Sequence, residues 1–328
     1  MTITIAGIPV SIVSPWPLNR RAFKQVHQKT LFSRKPKVNI YLHFGSPKMS
    51  LKNKNYVIGI KNILDIYQSN GKYIFVFKAM SSRRKYFPFK LLGYNRKDVP
   101  GLLNPEKIIK RWPRPNKIFL KSNRIAIFSS DFREGSIYTE FSSSVKLFNN
   151  NSNFSVLFGP SVDPLYEMLI SNLLSLNQGL LFHGCGIMDK RKGYLFIGYS
   201  SSGKSTMAKL WQGEATVLSD ELIAVRKINN HFFAFAIPWL GTSGITHTDK
   251  GVRLRKIFFL HHGQRNRVLK YSTKKAFLGF LSHSSCPVWN REAVEGILES
   301  CAELAQRLPC FSLYFVPDKR VIAFIREC

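Results

Sequence analysis

Acidic residues are scarce in this 328-residue chain: 19 Asp and Glu stand against 49 Lys and Arg, a formal net charge of +30. Polyanions, acidic surfaces and phosphorylated ligands are therefore drawn to it by field alone. Cysteine is also sparse. Cys185, Cys286, Cys301, Cys310 and Cys328 are odd in number and none forms a CxxC pair, which implies no disulfide framework and fits a reducing compartment. Long apolar runs are missing as well. Two 21-residue stretches, 168–188 and 228–248, lack Asp, Glu, Lys and Arg, but both contain glycine and several polar residues, and the second contains Pro238. Neither reads as a membrane span. The opening MTITIAGIPVSIVSPWP has no basic segment before its apolar residues, and its Thr/Ile alternation reads as a β-strand; the expectation is a cytoplasmic protein without a secretory leader. What remains, 45% hydrophobic and 13% aromatic against 21% charged, is an ordinary globular composition that excludes disorder.

The charge is unevenly spread. Residues 1–150 hold 28 basic and 6 acidic residues, while the rest of the chain is net +8. Up to about residue 142 the apolar pattern is short and broken (TITIAGI, VNIYLHF, YVIGI, YIFVFKA, IFLKSNRIAIF, SIYTEF), which predicts strands, with DFREG as a hairpin or tight loop. SSRRKYFPFK and KIIKRWPRPNK interleave basic and aromatic residues. They resemble a single-strand nucleic-acid or peptide groove only loosely, and solvated loops beside core aromatics are the favoured reading. The polar tract Asn149, Asn150, Asn151, Ser152, Asn153 marks a boundary between a basic β-rich domain, 1–153, and a second domain, 154–328. There Asp163 and Pro164 form a cap and first turn, and Leu165, Met168, Leu169, Leu173 and Leu176 a stripe ended by Gly179. This predicts a helix over about 164–177. LLFHGCGIM and GYLFIG, joined by DKRK, then read as adjacent strands.

Gly198, Tyr199, Ser200, Ser201, Ser202, Gly203, Lys204 and Ser205 fit GxxxxGK[ST] in full, after a predicted strand and before the helix-compatible STMAKLWQ. A loop of this kind turns backbone N–H groups toward phosphate oxygens, the helix N-terminus adds a positive dipole end, and Lys204 supplies a mobile cation for the β and γ phosphates of ATP. Ser205 would ligate Mg²⁺. Sixteen residues after Lys204, VLSDE ends an apolar run in Asp220 and Glu221, where a returning strand would reach the phosphates. Such acids either hold Mg²⁺ or accept a proton from an attacking hydroxyl, so Ser205, Asp220 and Glu221 are the candidate metal ligands. His183, in LLFHGCG, is either a satisfied core histidine or a group brought to the phosphates by a neighbouring strand; Gly184 leaves room for a ligand or for close backbone packing.

The order FHG, GYSSSGKST, LSDE over roughly 165–227 resembles HPr kinase/phosphorylase and the HPr-kinase-like proteins, whose core has a His-Gly strand, a hairpin, a P-loop and a strand ending in two acids. The resemblance implies an α/β P-loop domain of the HPr kinase / phosphoenolpyruvate carboxykinase-like type, with nucleotide bound by Gly198 through Thr206. Asp220 would be the base that deprotonates a serine hydroxyl, and His183 would lie beside it. Related small kinases phosphorylate serine in peptides, including lasso-peptide precursors. This chain departs from the pattern at Glu221, where the family usually has a second aspartate, and PWLGTSG stands near where the family's Glu-Ile-Arg-Gly signature falls.

The remaining signals are weaker. Lys250, Arg253 and Arg255 would neutralise phosphates or form a solvated loop, and His247, His261 and His262 lack zinc-site spacing. Two amphipathic helices are predicted at about 273–281 and 289–308, then a strand FSLYFV and a helical turn or helix at 321–325. The expectation is an ATP- and Mg²⁺-dependent serine kinase, catalysed by Asp220, His183 and Lys204, whose partner is a protein or peptide acceptor; an oligomer is allowed and a membrane is not expected. The rivals are a small-molecule kinase or carboxykinase-like enzyme, and a nucleotide-gated binding protein for RNA or an acidic partner.

Overall fold

The computed structural model describes residues 2–14, 36–60, 64–78, 122–139, 165–237 and 251–328. SSRRKYFPFK, KIIKRWPRPNK, the asparagine tract, the Asp163–Pro164 cap, PWLGTSG, His247 and Lys250 lie outside them. The described residues form a mixed α/β protein with two large sheets and five helices among them.

The first sheet is made of β1 (Thr2–Ile5), β2 (Ile8–Val13), β3 (Val38–Phe44), β4 (Asn55–Ile60), β5 (Leu64–Ser69), β6 (Lys72–Lys78), β7 (Ser122–Ser129) and β8 (Glu134–Thr139). Their order is β1-β2-β3-β8-β7-β6-β5-β4, with β3 parallel to both its neighbours and the other pairs antiparallel. The opening segment is a hairpin, not one strand: Ala6 and Gly7 both take positive φ, 48° and 78°, and reverse the chain between β1 and β2. DFREG does form a hairpin turn. Asp131 accepts hydrogen bonds from the Ser129 hydroxyl (2.6 Å) and the Arg133 amide (3.1 Å), and Phe132 turns inward to stack on Phe128 at 5.3 Å.

The second sheet follows α1 (Leu165–Ser175). Its strands are β9 (Gly179–Asp189), β10 (Lys192–Ile197), β11 (Thr216–Ser219), β12 (Leu222–Ile228), β13 (His231–Ala236), β14 (Val252–His262), β15 (Arg267–Lys270) and β16 (Cys310–Phe315). Interleaved are α2 (Lys204–Trp211), α3 (Thr273–His283), α4 (Arg291–Arg307) and α5 (Arg320–Glu327). The path runs β10-β9-β12-β13-β14-β16-β15, and β10 also pairs in parallel with β14, so five strands close into a ring. Two long strands make closure possible. The first part of β9 pairs with β12 and the second with β10, while β14 meets β13 at its start and β10 along most of its length.

Alternation along these strands sets the two faces. Phe196, Phe258 and Leu313 pack with Trp211 of α2 and Val321 and Ile325 of α5. Ile257 and Phe259 face the other way, against Phe280 of α3 and Ile297 and Leu304 of α4. A third cluster is continuous from Ile3 and Phe128 of the first sheet through Leu169 of α1 to Leu181 and Leu222 of the second. All eleven residues of α1 are buried, although its sequence shows a stripe. Its polar side chains cope by bonding locally, Ser171 and Asn172 to the Met168 carbonyl and Ser175 to that of Asn172. Gln178, at φ 57°, ends the following turn and Gly179 opens β9.

Helices α3 and α4 carry side-chain caps: Ser272 accepts from the Lys275 amide and Asn290 from that of Ala293. Phe280 of α3 is fully buried between Phe182 (5.8 Å) and Phe259 (5.6 Å). Phe280→Ala is expected to cost about 3–5 kcal/mol of stability, because the closed ring beneath it cannot collapse into the cavity. Urea unfolding of the two proteins checks this; a loss under about 1 kcal/mol would mean the site repacks.

Candidate active site

The site lies at the carboxyl ends of β10 and β14, where the chain leaves β10 through 198–203 and enters α2. Residue sizes in this loop are fixed by its tightness. A Cβ on Gly198 would run into the Ser202 hydroxyl, and one on Gly203, which sits at φ 98°, would lie 2.6 Å from the Phe315 ring. Ser201 takes φ 66°, rare for a residue with a side chain. Lys204 curls back over the loop and donates from Nζ to the carbonyls of Gly198 (2.6 Å) and Tyr199 (2.7 Å), and the Ser202 amide also donates to Tyr199 (3.1 Å). Ser202 Oγ is buried and has no hydrogen-bond partner. Tyr199, Ser200, Ser201 and Ser205 are exposed, and Thr206 is half-buried in the first turn of α2.

Asp220 and Glu221 form the corner between β11 and β12. Ser219 Oγ holds that corner by accepting from the amides of Glu221 and Leu222, both at 3.3 Å. The corner is pinned to β9: the Gly184 amide donates to the Glu221 carbonyl (3.1 Å), and Leu222 pairs with His183. Gly184 serves close packing, since a Cβ there would come within 3.0 Å of the Phe196 carbonyl. Asp220 is buried and Glu221 half-buried. Their fields meet those of the loop. The Cys185 thiol is pushed up, first by burial and then by the Asp220 charge, against the opposing pull of Lys204.

His183 reaches Glu167 of α1, Nε2 to Oε1, at 3.1 Å, and the Ser285 hydroxyl donates to the same oxygen at 2.5 Å. Burial alone would lower the His183 pKa. The hydrogen bond and charge of Glu167, with Glu221 behind it, outweigh burial and the opposing Lys204, so the imidazole stays protonated above its ordinary 6.5. The contribution of this pair to stability is thus present in full below pH 6.5 and fades as pH rises through the raised folded value. Glu167→Gln is expected to lower the His183 pKa, read from imidazole NMR shifts against pH. An unmoved titration would show that Glu167 does not set it.

His183 feels the charges of Glu221 and Lys204, and its near neighbour Cys185 those of Asp220 and Lys204, so these groups lie within electrostatic reach of one another, with Ser205 at the start of α2. Glu167 and Ser285 escaped the sequence reading, which weighed His262 only as a zinc ligand, and so did the contact of Tyr199 with His283, ring centroids 4.6 Å apart. Glu167 left one faint signal, an acid in the first turn of an otherwise uncharged helix. The adjacent His261 and His262 point to opposite faces. His261 stacks on Tyr314 (4.9 Å) and is pushed down by burial and Lys275, whereas His262 Nε2 meets the Ser201 carbonyl at 2.6 Å. Arg253 bonds His231 at 3.0 Å. Among the described residues no three His, Cys, Asp or Glu side chains converge as a metal cage. No helix there is long and apolar enough to cross a membrane.

No family model and no curated protein matches the chain. Among solved structures it is similar to the Hpr(Ser) kinase/phosphatase from Coxiella burnetii, at 12% identity over 45% of this chain and 94% of that one, with a TM-score of 0.28. The likeness is distant and concerns the fold alone.

Proposed function

We propose that the chain is a cytoplasmic P-loop serine kinase of the HPr-kinase-like type, transferring the γ-phosphoryl group of ATP to a serine hydroxyl in a protein or peptide. One observation carries this reading: the GxxxxGKS loop leads from β10 into α2, and the corner that carries the buried carboxylate Asp220 is pinned to β9, the strand paired with β10. The loop's residues fit a polyphosphate. Its glycines leave no room for side chains, Lys204 rests on carbonyls it can exchange for phosphate oxygens, and the buried Ser202 hydroxyl lacks a partner. Mg²⁺, held by Ser205 with Asp220 or Glu221, would neutralise charge on the β and γ oxygens; few protein ligands suffice for Mg²⁺ beside a nucleotide.

Phosphoryl transfer is chiefly a matter of positioning and charge neutralisation. Lys204 would leave the Gly198 and Tyr199 carbonyls for the phosphates. Asp220 would accept the serine proton as the serine oxygen bonds to γ-phosphorus and the bond from that phosphorus to the β-bridging oxygen breaks, releasing ADP. His183, whose pKa the hydrogen bond and charge of Glu167 raise, would add positive charge beside the transferred group when protonated.

The test is incubation of the full chain with γ-labelled ATP, Mg²⁺ and serine-containing peptides and proteins. Phosphoserine with matching ADP supports the reading. Label in a free amino acid or metabolite moves the acceptor to a small molecule. Nucleotide binding without transfer, together with RNA affinity that falls steeply with salt, would replace the kinase with a binding protein.

A further inference from the structure

We propose that His262 is a positioning residue of the phosphate site, its Nε2–H holding the Ser201 carbonyl so that the loop keeps a shape able to take phosphate. This rests on the reading of the glycine loop as a phosphate cradle. It concerns a residue outside that motif, 61 positions from Ser201 in the chain.

Register puts His262 there. β14 runs parallel to β10 with Phe259 opposite Ile197, the last residue of β10, so the next three residues of β14 extend beside the loop. Phe258 and Leu260 pack on the α2 side, and alternation sends His262 to that same side and His261 to the other. A slip of one residue would exchange them. A carbonyl can only accept, so Nε2 must carry the hydrogen; the neutral Nε2–H tautomer and the imidazolium both satisfy this.

The contact falls where the loop is most constrained. Ser201 sits in the left-handed region, and its carbonyl belongs to the peptide unit that carries the Ser202 amide. In a trans peptide the C=O and N–H point opposite ways. With the carbonyl drawn to His262, the Ser202 amide is turned away from β14 and toward the Tyr199 carbonyl, the acceptor it shares with Lys204. Among the described contacts His262 alone holds that peptide plane from the β14 side, and a flip would set the Ser201 carbonyl against that of Tyr199 and undo the turn that shapes the loop.

The experiment is calorimetric titration of the full chain with Mg²⁺-ADP and with Mg²⁺-tripolyphosphate, which has no base or sugar. His262→Leu keeps bulk without a donor, and His262→Gln restores an N–H at similar reach. His262→Leu is expected to weaken both ligands about three- to tenfold, and His262→Gln to recover most of the loss. In turnover the change should fall on KM for the nucleotide more than on kcat. If His262→Leu does not fold, His262→Ser, too short to reach Ser201, takes its place. Wild-type affinity in the donor-less variant overturns the proposal, as does a glutamine variant as weak as the leucine one. If the wild-type chain binds neither ligand, the phosphate reading of the loop fails and this proposal with it; if it binds both and only His262 proves indifferent, the kinase reading stands.

Discussion

Asp220→Asn is expected to bind Mg²⁺-ATP about as tightly as the wild type and to transfer phosphate about 10²–10⁴-fold more slowly in a single turnover. Asparagine keeps the size and the accepting oxygen of the side chain, so the buried corner between β11 and β12 should survive; what it loses is the ability to take a proton. The serine hydroxyl then has to shed its proton to water, from an orientation no carboxylate fixes. Glu221→Gln, measured in parallel, separates the roles. Loss of Mg²⁺-nucleotide affinity in Asp220→Asn would make Asp220 a metal ligand instead of the base. Failure of Glu221→Gln alone would exchange the two carboxylates, and a wild-type transfer rate in Asp220→Asn would place the base elsewhere.

Lys204→Ala is expected to weaken Mg²⁺-ATP binding by about 10²–10³-fold and to abolish measurable transfer. The side chain's two contacts, to the Gly198 and Tyr199 carbonyls, are part-buried and exposed, so their loss should cost the fold little. An undiminished unfolding midpoint with lost binding is the predicted pairing. Unchanged affinity in a folded variant would mean that the loop does not use its lysine, and the phosphate reading would fall.

How much of this was legible in the sequence depended on how local each feature is. The glycine loop, the strand before it and the helix after it are contiguous, so spacing alone predicted their order. Helices α3 and α4 showed through their amphipathic pattern, with ends within two residues or so. The opening hairpin was missed because Ala6-Gly7 is a weak turn signal: Ala6 adopts a positive φ that alanine does not advertise. The ring closed by β10 and β14 was invisible, since it depends on pairing across 62 positions, Ile197 with Phe259. The partners of His183 and Ser201 were hidden for the same reason. Glu167 and His262 are ordinary residues in their own segments, and become site residues only when α1 and β14 are laid beside β9 and the loop.

Helix α1 has no side that faces water, for the first sheet covers what the second leaves open. The usual division of a helix into a constrained face and a freely drifting one therefore does not apply to residues 165–175. A library randomised across this segment should yield few functional members at every position, with no period of 3.6 in what is tolerated. The segment that holds Glu167 against His183 is in this sense written without synonyms.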